Sequence, residues 1–219
     1  MKAAYHHGNL RPALIAAALK ELAREGLGGL SLRGVARRAG VSAPAVYRHF
    51  EDKDDLLAAV ATECAERLAA TIVELVENAP DHPLAKFRAQ GIAIVRFAVA
   101  HPEHFRALAI PGLEERTPAE ARARADAWNA AQRAALIDAQ ERGLISDLPL
   151  DDLLLAANST VMGLAHAIIE GRLGDIDEAR AENLAIAVTR VLGVGLIPRD
   201  EPIHDSFLEV TKAKPARRG

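Results

Sequence analysis

The sequence predicts an all-α fold, with three short helices at the N-terminus and a bundle of about six helices behind them. Apolar residues recur at spacings of three and four along almost the whole chain, and no stretch sustains the alternation of two that a half-buried strand needs. Residues that fill sheets are scarce, with 5 Phe, 2 Tyr and 1 Trp among 219. Proline and glycine clusters cut the periodic stretches at helix-length intervals.

The first helix is expected over about residues 9–25, with Leu14, Ala18 and Leu22 on its inward face and Gly26 as its stop. Ser31 is placed to cap a short second helix that runs to Arg38 and turns Leu32, Val35 and Ala36 inward. Ala39-Gly40-Val41 reads as a tight turn. Ser42 caps a third short helix with Pro44 in its first turn, where a missing N–H is harmless. After Phe50 the acidic run 51–55 opens a long fourth helix, with Leu57, Val60, Cys64, Leu68, Ile72 and Leu75 along one stripe. Pro80 and Pro83 lie too close together for both to sit inside a helix, so the fourth helix ends before them.

A fifth helix is expected over 84–100, and His101-Pro102 breaks it and starts a sixth. Thr117-Pro118-Ala119-Glu120 reads as a capping box that begins a seventh helix, stopping near Gly143. The last two helices are expected over about 150–170 and 177–192, ended by Gly171 and Gly193. Their apolar faces, such as Leu154, Ala157, Val161, Leu164, Ala165 and Ile168, are wider than one core requires. That width points to helix-on-helix association between subunits. The expected organisation is a head over 1–52, a body over 53–198, and a flexible basic tail over 199–219 ending in KAKPARRG.

Composition removes several function classes. No uninterrupted apolar run reaches the roughly 18 residues of a membrane span, and MKAAYHHGNLR lacks the apolar core of a secretion signal. The chain is therefore expected to be cytoplasmic, with no membrane partner. Cys64 is the one cysteine, which rules out an internal disulfide framework and a multi-cysteine metal site. Its place on an apolar stripe makes it a small buried hydrophobe. A net charge of −3 hides an asymmetry. Residues 1–50 hold eight Lys/Arg (Lys2, Arg11, Lys20, Arg24, Arg33, Arg37, Arg38, Arg48) against Glu21 and Glu25, while the remainder is acidic. A basic head on an acidic body suits contact with nucleic acid at one end, the alternative being a chance imbalance on solvated faces.

Three short helices with a glycine turn between the second and third form a helix-turn-helix. Gly40 can take the left-handed backbone of the turn, and Val35, Ala36, Ala39, Val41, Val46 and Phe50 can close a miniature core. Ser42, Ala43, Pro44, Tyr47, Arg48 and His49 are left on the outer side of the third helix, where a major groove would lie. The stretch LSLRGVARRAGVSAPAVYRHFEDKDDLL resembles the DNA-binding segment of TetR-family transcriptional regulators. YHHGNLR resembles one branch of that family, and RFAVAHPEHFRALAI a recurring stretch of that branch's body domain.

The resemblance implies roles residue by residue. Ser31 and Arg33 would touch phosphates, and Ser42 would bind a phosphate through its hydroxyl. Ala43 and Pro44 stand where the family reads base edges, and here they offer only methyl and ring contacts suited to thymine. Sequence readout would then lean on Arg48 and on DNA shape. Tyr47 and His49 would lie against the sugar-phosphate backbone, and Lys53 would clamp a further phosphate. Asn9 and Arg11 would reach DNA from the N-terminal arm. Tyr47 also has a plain reading as a half-buried packing residue. A metal site at His6, His7 and His49 lacks acidic or cysteine partners at ligand spacing. None is expected.

For the body the resemblance implies dimerisation through the last two helices, a small-molecule effector pocket, and release of a palindromic operator when the effector binds. Expected pocket residues are the aromatic, histidine and methionine side chains Phe97, His101, His104, Phe105, Trp128, Met162 and His166, each of which also reads as plain core or surface. The function expected is a homodimeric, ligand-responsive repressor needing no cofactor. The alternatives are an all-helical enzyme and an effector-independent DNA-binding protein. The enzyme lacks support, since no HExxH, glycine-rich phosphate loop or GxSxG occurs and no catalytic residues are assigned.

Overall fold

The structure, a computed structural model, describes residues 10–198. Among them it holds nine α-helices, one 3-10 turn and no strand. The head comprises α1 (Leu10–Gly29), α2 (Leu32–Ala39) and α3 (Ala43–Tyr47). The long α4 (Lys53–Glu77) leads into α5 (Pro83–Ala100), α6 (Pro102–Ala107), the 3-10 turn Glu114–Arg116, α7 (Ala119–Glu141), α8 (Leu150–Ile169) and α9 (Glu178–Leu196). The expected basic tail and the arm residues His6, His7 and Asn9 lie outside the described residues.

Local chemistry explains most helix ends. Ser31 Oγ accepts the backbone N–H of Gly34 at 3.1 Å and so caps α2. Gly40 takes φ 69°, ψ 30°, and the N–H of Val41 closes on Ala36 O at 3.0 Å, a left-handed helix stop that fixes the turn. Asp52 caps α4 by accepting Asp55 N–H at 2.9 Å, and Asp177 caps α9. Gly26 sits at φ 66° and kinks α1 where the sequence predicted its end.

Three expectations are corrected. Ser42 precedes α3 but its hydroxyl makes no cap bond, which leaves it exposed. Thr117 does not cap α7, because its hydroxyl donates back to Leu113 O at 2.9 Å and closes the 3-10 turn instead. Gly193 does not end α9. The helix continues to Leu196, whose side chain packs against the cluster of Leu136, Ala139, Ile145 and Leu153 and whose carbonyl accepts both the backbone N–H of Ser146 at 2.8 Å and its hydroxyl at 3.1 Å. Tertiary contacts there outweigh the helix penalty of about 1 kcal/mol per glycine.

The head core joins Leu14, Ala18, Leu32, Val35, Val46 and Phe50 with Leu56, Leu57, Val60 and Cys64 of α4. Ala107 and Leu113, from the body side of the chain, close it. In the body, α5 sits centrally against α4, α6, α7, α8 and α9. Its Val95, Phe97 and Ala98 pack with Phe105, Val161, Ala165, Ala181 and Ala185. Burial raises the Cys64 thiol to about 12, so it stays protonated and serves as packing. By length and composition α8 could cross a membrane, with a mean hydropathy of 1.4. Its Leu153, Ala157, Val161, Ala165 and Ile168 are nonetheless buried in this bundle.

One inward residue of α1 is charged. Glu21 is 3% exposed and accepts Arg38 Nε at 2.6 Å, with Arg24 Nη2 3.4 Å from its other oxygen. A Cβ at Gly34 would stand 2.9 Å from Glu21 Oε1, so the glycine leaves room for the carboxylate beside the start of α2. No local motif around Arg38 marks this pairing. The available signal was Glu21 itself, an acid seven residues after Leu14 on the apolar stripe.

The hydrogen bond from Arg38 holds the Glu21 carboxyl below the ordinary carboxylate value of 4.5. A depressed folded value stabilises the protein above the unfolded value, and this stabilisation is lost as pH falls through the folded one. Glu21→Gln is therefore expected to melt at a lower temperature than wild type at pH 7, and the gap to close as pH drops below about 4.5. Scanning calorimetry across pH 3 to 7 (roughly the window set by that linkage) checks this, and a gap independent of pH would contradict it.

Candidate nucleic-acid interface and body cavity

The turn geometry of the helix-turn-helix decides which side chains of α3 face outward. With Val46 and Phe50 buried, Ser42, Pro44, Tyr47, Arg48 and His49 all stand exposed on one side, and Tyr47 is 52% exposed. About half of the Tyr47 surface is thus open to solvent. Ala43 is half-buried against the fringe of the head core. At the start of α2, Ser31 and Arg33 are also exposed. The capping bond uses an acceptor site of Ser31 Oγ and leaves its hydroxyl proton free to donate to an anion.

Lys53 occupies the first turn of α4, and its ammonium donates to Leu27 O at 2.5 Å. This ties the end of α1 to the start of α4 and leaves the ammonium two further protons. Arg11 stacks its guanidinium 4.8 Å from the centroid of the Phe50 ring, so it covers the head core as well as facing solvent. Arg38 and Arg24 are engaged by Glu21, and Arg24 also by Glu25 at 2.8 Å. Among the described residues of the head, the basic side chains with no ion-pair partner that stand exposed include Lys20, Arg33, Arg37 and Arg48.

The head is joined to the body by more than α4. Arg116, in the 3-10 turn, donates to the Asp52 cap at 2.9 Å, and that carboxyl is held below its usual range by the Asp55 N–H and by Arg116. Arg106 of α6 donates to Ile169 O at 2.9 Å, capping the C-terminus of α8.

Of the seven side chains expected around an effector, two are core and Trp128 stands apart from the rest on α7. Phe97 and Phe105 are 1% and 2% exposed. Phe97, His101 and His104 form one ring cluster, with centroids 5.3 to 6.5 Å apart, and Phe105 pairs with His166 at 5.3 Å. Burial, aided by Arg67 and His101, lowers the His104 pKa below its ordinary value. Met162 packs half-buried on the body core, and Trp128 is half-buried on α7. Phe97 and His101 line a polar recess of about 490 Å³ together with Glu74, Arg96, Glu178 and Glu182.

A different, largely apolar cavity of about 370 Å³ lies between α5, α7, α8 and α9, and none of those seven residues lines it. Its walls include Phe87, Ile94, Leu136, Ile145 and Val161, with Gln90, Gln132 and Thr189 as buried polar groups, the Thr189 hydroxyl already donating to Ala185 O at 2.7 Å. Leu, Ile and Val leave no sequence mark to separate a cavity wall from a core. The sequence reading missed it for that reason.

Two family models match the chain. That for "Bacterial regulatory proteins, tetR family" covers residues 14–60, and that for "Tetracyclin repressor-like, C-terminal domain" covers 87–191. Among curated relatives, the HTH-type transcriptional repressor SCO4008 of Streptomyces coelicolor is 32% identical over 142 residues, which is 63% of this chain and 69% of that protein. The HTH-type nicotine-responsive transcriptional repressor HdnoR of Paenarthrobacter nicotinovorans is 37% identical over 71 residues, 32% of this chain and only 37% of that one. A Rhodococcus protein of unknown function has a similar structure, with TM-score 0.71 and 32% identity over 90% of this chain and 100% of its own. A TetR-family regulator from Marinobacter aquaeolei shares the fold at TM-score 0.68 and 21% identity over 86% of this chain and 96% of that one. These regulators are not enzymes. The outward face of α3 on its glycine turn, and the helical body behind it, are those of a transcriptional regulator, and the chain belongs to the TetR family.

Proposed function

We propose that this chain is a homodimeric repressor that leaves its operator when a small molecule enters the body. The observation that carries the reading is the exposed row Ser42, Pro44, Tyr47, Arg48 and His49, held on a turn that local hydrogen bonds fix. In this reading α3 enters the major groove. Arg48 reaches a guanine edge or a phosphate, while Ala43 and Pro44 touch thymine methyls. Ser31, Arg33, Ser42, Tyr47, His49 and Lys53 hold phosphates and sugars and set the register. The division of labour falls near Asp52, and the protein acts in the cytoplasm, where its DNA is.

A two-fold dimer supplies two heads for a palindromic site. Its interface is the outer side of α8 and α9. Leu155 and Val191 are 67% and 73% exposed there, in helices whose opposite sides are already buried. So much apolar surface on adjacent helices favours a partner. The effector site is the apolar cavity rather than the aromatic-histidine cluster, because the Phe97 and Phe105 rings are committed to packing. A ligand there touches α5, α7, α8 and α9, and so bears on the dimer helices and on the central helix packed against α4. To release DNA it must favour the non-binding conformation by a few kcal/mol. One relative is itself nicotine-responsive, which supports effector control.

Fluorescence anisotropy on tiled duplexes from the DNA flanking the gene tests the function. Tight binding to one tile, lost in Tyr47→Ala, is expected, and equal weak binding to every tile would count against a sequence-specific regulator. Lys53→Gln is expected to flatten the log–log salt dependence of operator affinity by about 0.9, the share of one phosphate. An unchanged slope would remove Lys53 from the phosphate contacts. Val191→Glu is expected to convert the dimer to a folded monomer in sedimentation, with operator binding reduced at least about tenfold by loss of the second half-site. A dimer that survives it would place the interface elsewhere.

A further inference from the structure

The cavity contains a polar feature that its apolar walls do not explain. Gln90 and Gln132 are 8% and 6% exposed, and their one mutual hydrogen bond runs from Gln132 Nε2 to Gln90 Oε1 at 3.1 Å. Each side-chain amide has more capacity than that bond uses. Gln90 Nε2 and Gln132 Oε1 make no hydrogen bond, yet among the described residues no buried side-chain nitrogen or oxygen lacks a partner. The two atoms are therefore not sealed off. Both residues line the cavity. Turning both amides by half a rotation would reverse the bond and leave the same outcome, one amide nitrogen and one amide oxygen without a protein partner.

We infer that the effector is an uncharged, mainly apolar molecule carrying a carboxamide or lactam, read by the Gln90–Gln132 pair. This rests on the reading of the cavity as the effector site and adds the ligand's chemistry. A carboxamide offers one acceptor to Gln90 and one donor to Gln132 from adjacent atoms. A carboxylate would answer Gln90 but set an anionic oxygen against the Gln132 carbonyl. An ammonium would answer only Gln132, with no acidic residue on the cavity wall to neutralise it. The charged side chains of the wall, Arg88 and Arg190, are exposed, where water solvates them without a ligand. A volume of about 370 Å³ sits at the small end of the range for ligand sites. A ligand without the paired group would displace water from both glutamines and leave them unpaired, which costs affinity.

Calorimetric titration of the full chain with octanamide, 2-nonanone, octanoate and octylamine tests this, since 2-nonanone replaces the amide NH2 by a methyl group at equal length. Octanamide is expected to bind wild type about tenfold or more tightly than 2-nonanone, with octanoate and octylamine weaker than octanamide. In Gln90→Leu/Gln132→Leu the preference for octanamide should vanish while 2-nonanone binds as well as before. The ranking on wild type stands even if that variant does not fold. Equal binding of octanamide and 2-nonanone, or tightest binding of octanoate, would overturn the inference and leave the cavity as the effector site. If none of the four binds, the cavity reading itself falls.

Discussion

Everything in this molecule hangs on α4 belonging to two cores at once. Leu56, Leu57, Val60 and Cys64 at its start complete the head, while Leu68 and Leu75 further along pack against the body. A helix of 25 residues is a rod of roughly 37 Å at 1.5 Å per residue. It cannot bend to serve the two cores separately without a break, and the segment holds neither proline nor glycine. The direction of the head is therefore set by the packing of α4 on α5. The Asp52–Arg116 pair and the burial of Ala107 and Leu113 in the head core pin the same junction from the body side. A shift of α4 against α5 would move the head with it. Coupling of that kind needs no further machinery.

Charge in the head is divided between holding the fold and facing outward. Glu21 holds Arg38 and touches the exposed Arg24, Leu27 O engages Lys53, and Phe50 holds Arg11. A buried ion pair gains little net energy over an apolar contact, because desolvating both ions offsets their attraction. Its effect is geometric. Arg38 can meet Glu21 in one arrangement of α1 and α2, and Gly34 clears the space for it. Of the arginines left outward, Arg33 and Arg37 lie on α2, one of the two helices whose angle that pair fixes, and Arg48 follows α3 across the Gly40 turn. Part of the head's positive charge thus holds the shape that presents the rest.

The body shows where reading by residue type runs out. Phe97, His101, His104, Phe105 and His166 do assemble, because large flat side chains on α5, α6 and α8 fill the space between helices that cross closely. The empty volume forms instead where Gly91, Ala157 and Gly193 stand among branched aliphatics. Gly91 has close neighbours on one side, since a Cβ there would come 3.0 Å from Val161 Cγ2. Packing at one end of the α5–α8–α9 contact is therefore tight, and the cavity opens beyond it. No single residue type marks that boundary.

The sequence by itself determined the helical class, the order of the elements, the helix-turn-helix and the family. Each is encoded by residues a few positions apart: periodicity of three and four, Ser31 capping Gly34, Gly40 closing the turn, Asp52 starting α4. The outward row from Ser42 to His49 was legible for the same reason, because helical geometry fixes which side faces away once Val46 and Phe50 are buried. Tertiary structure alone decided that Arg38 turns inward, that α9 runs past Gly193 to Leu196, and that a cavity with a glutamine pair lies between α5 and α7. Glu21 and Arg38 are 17 positions apart, and Gln90 and Gln132 are 42. Such pairs depend on how whole helices cross, and the crossing is a sum over many weak side-chain contacts that no local motif records.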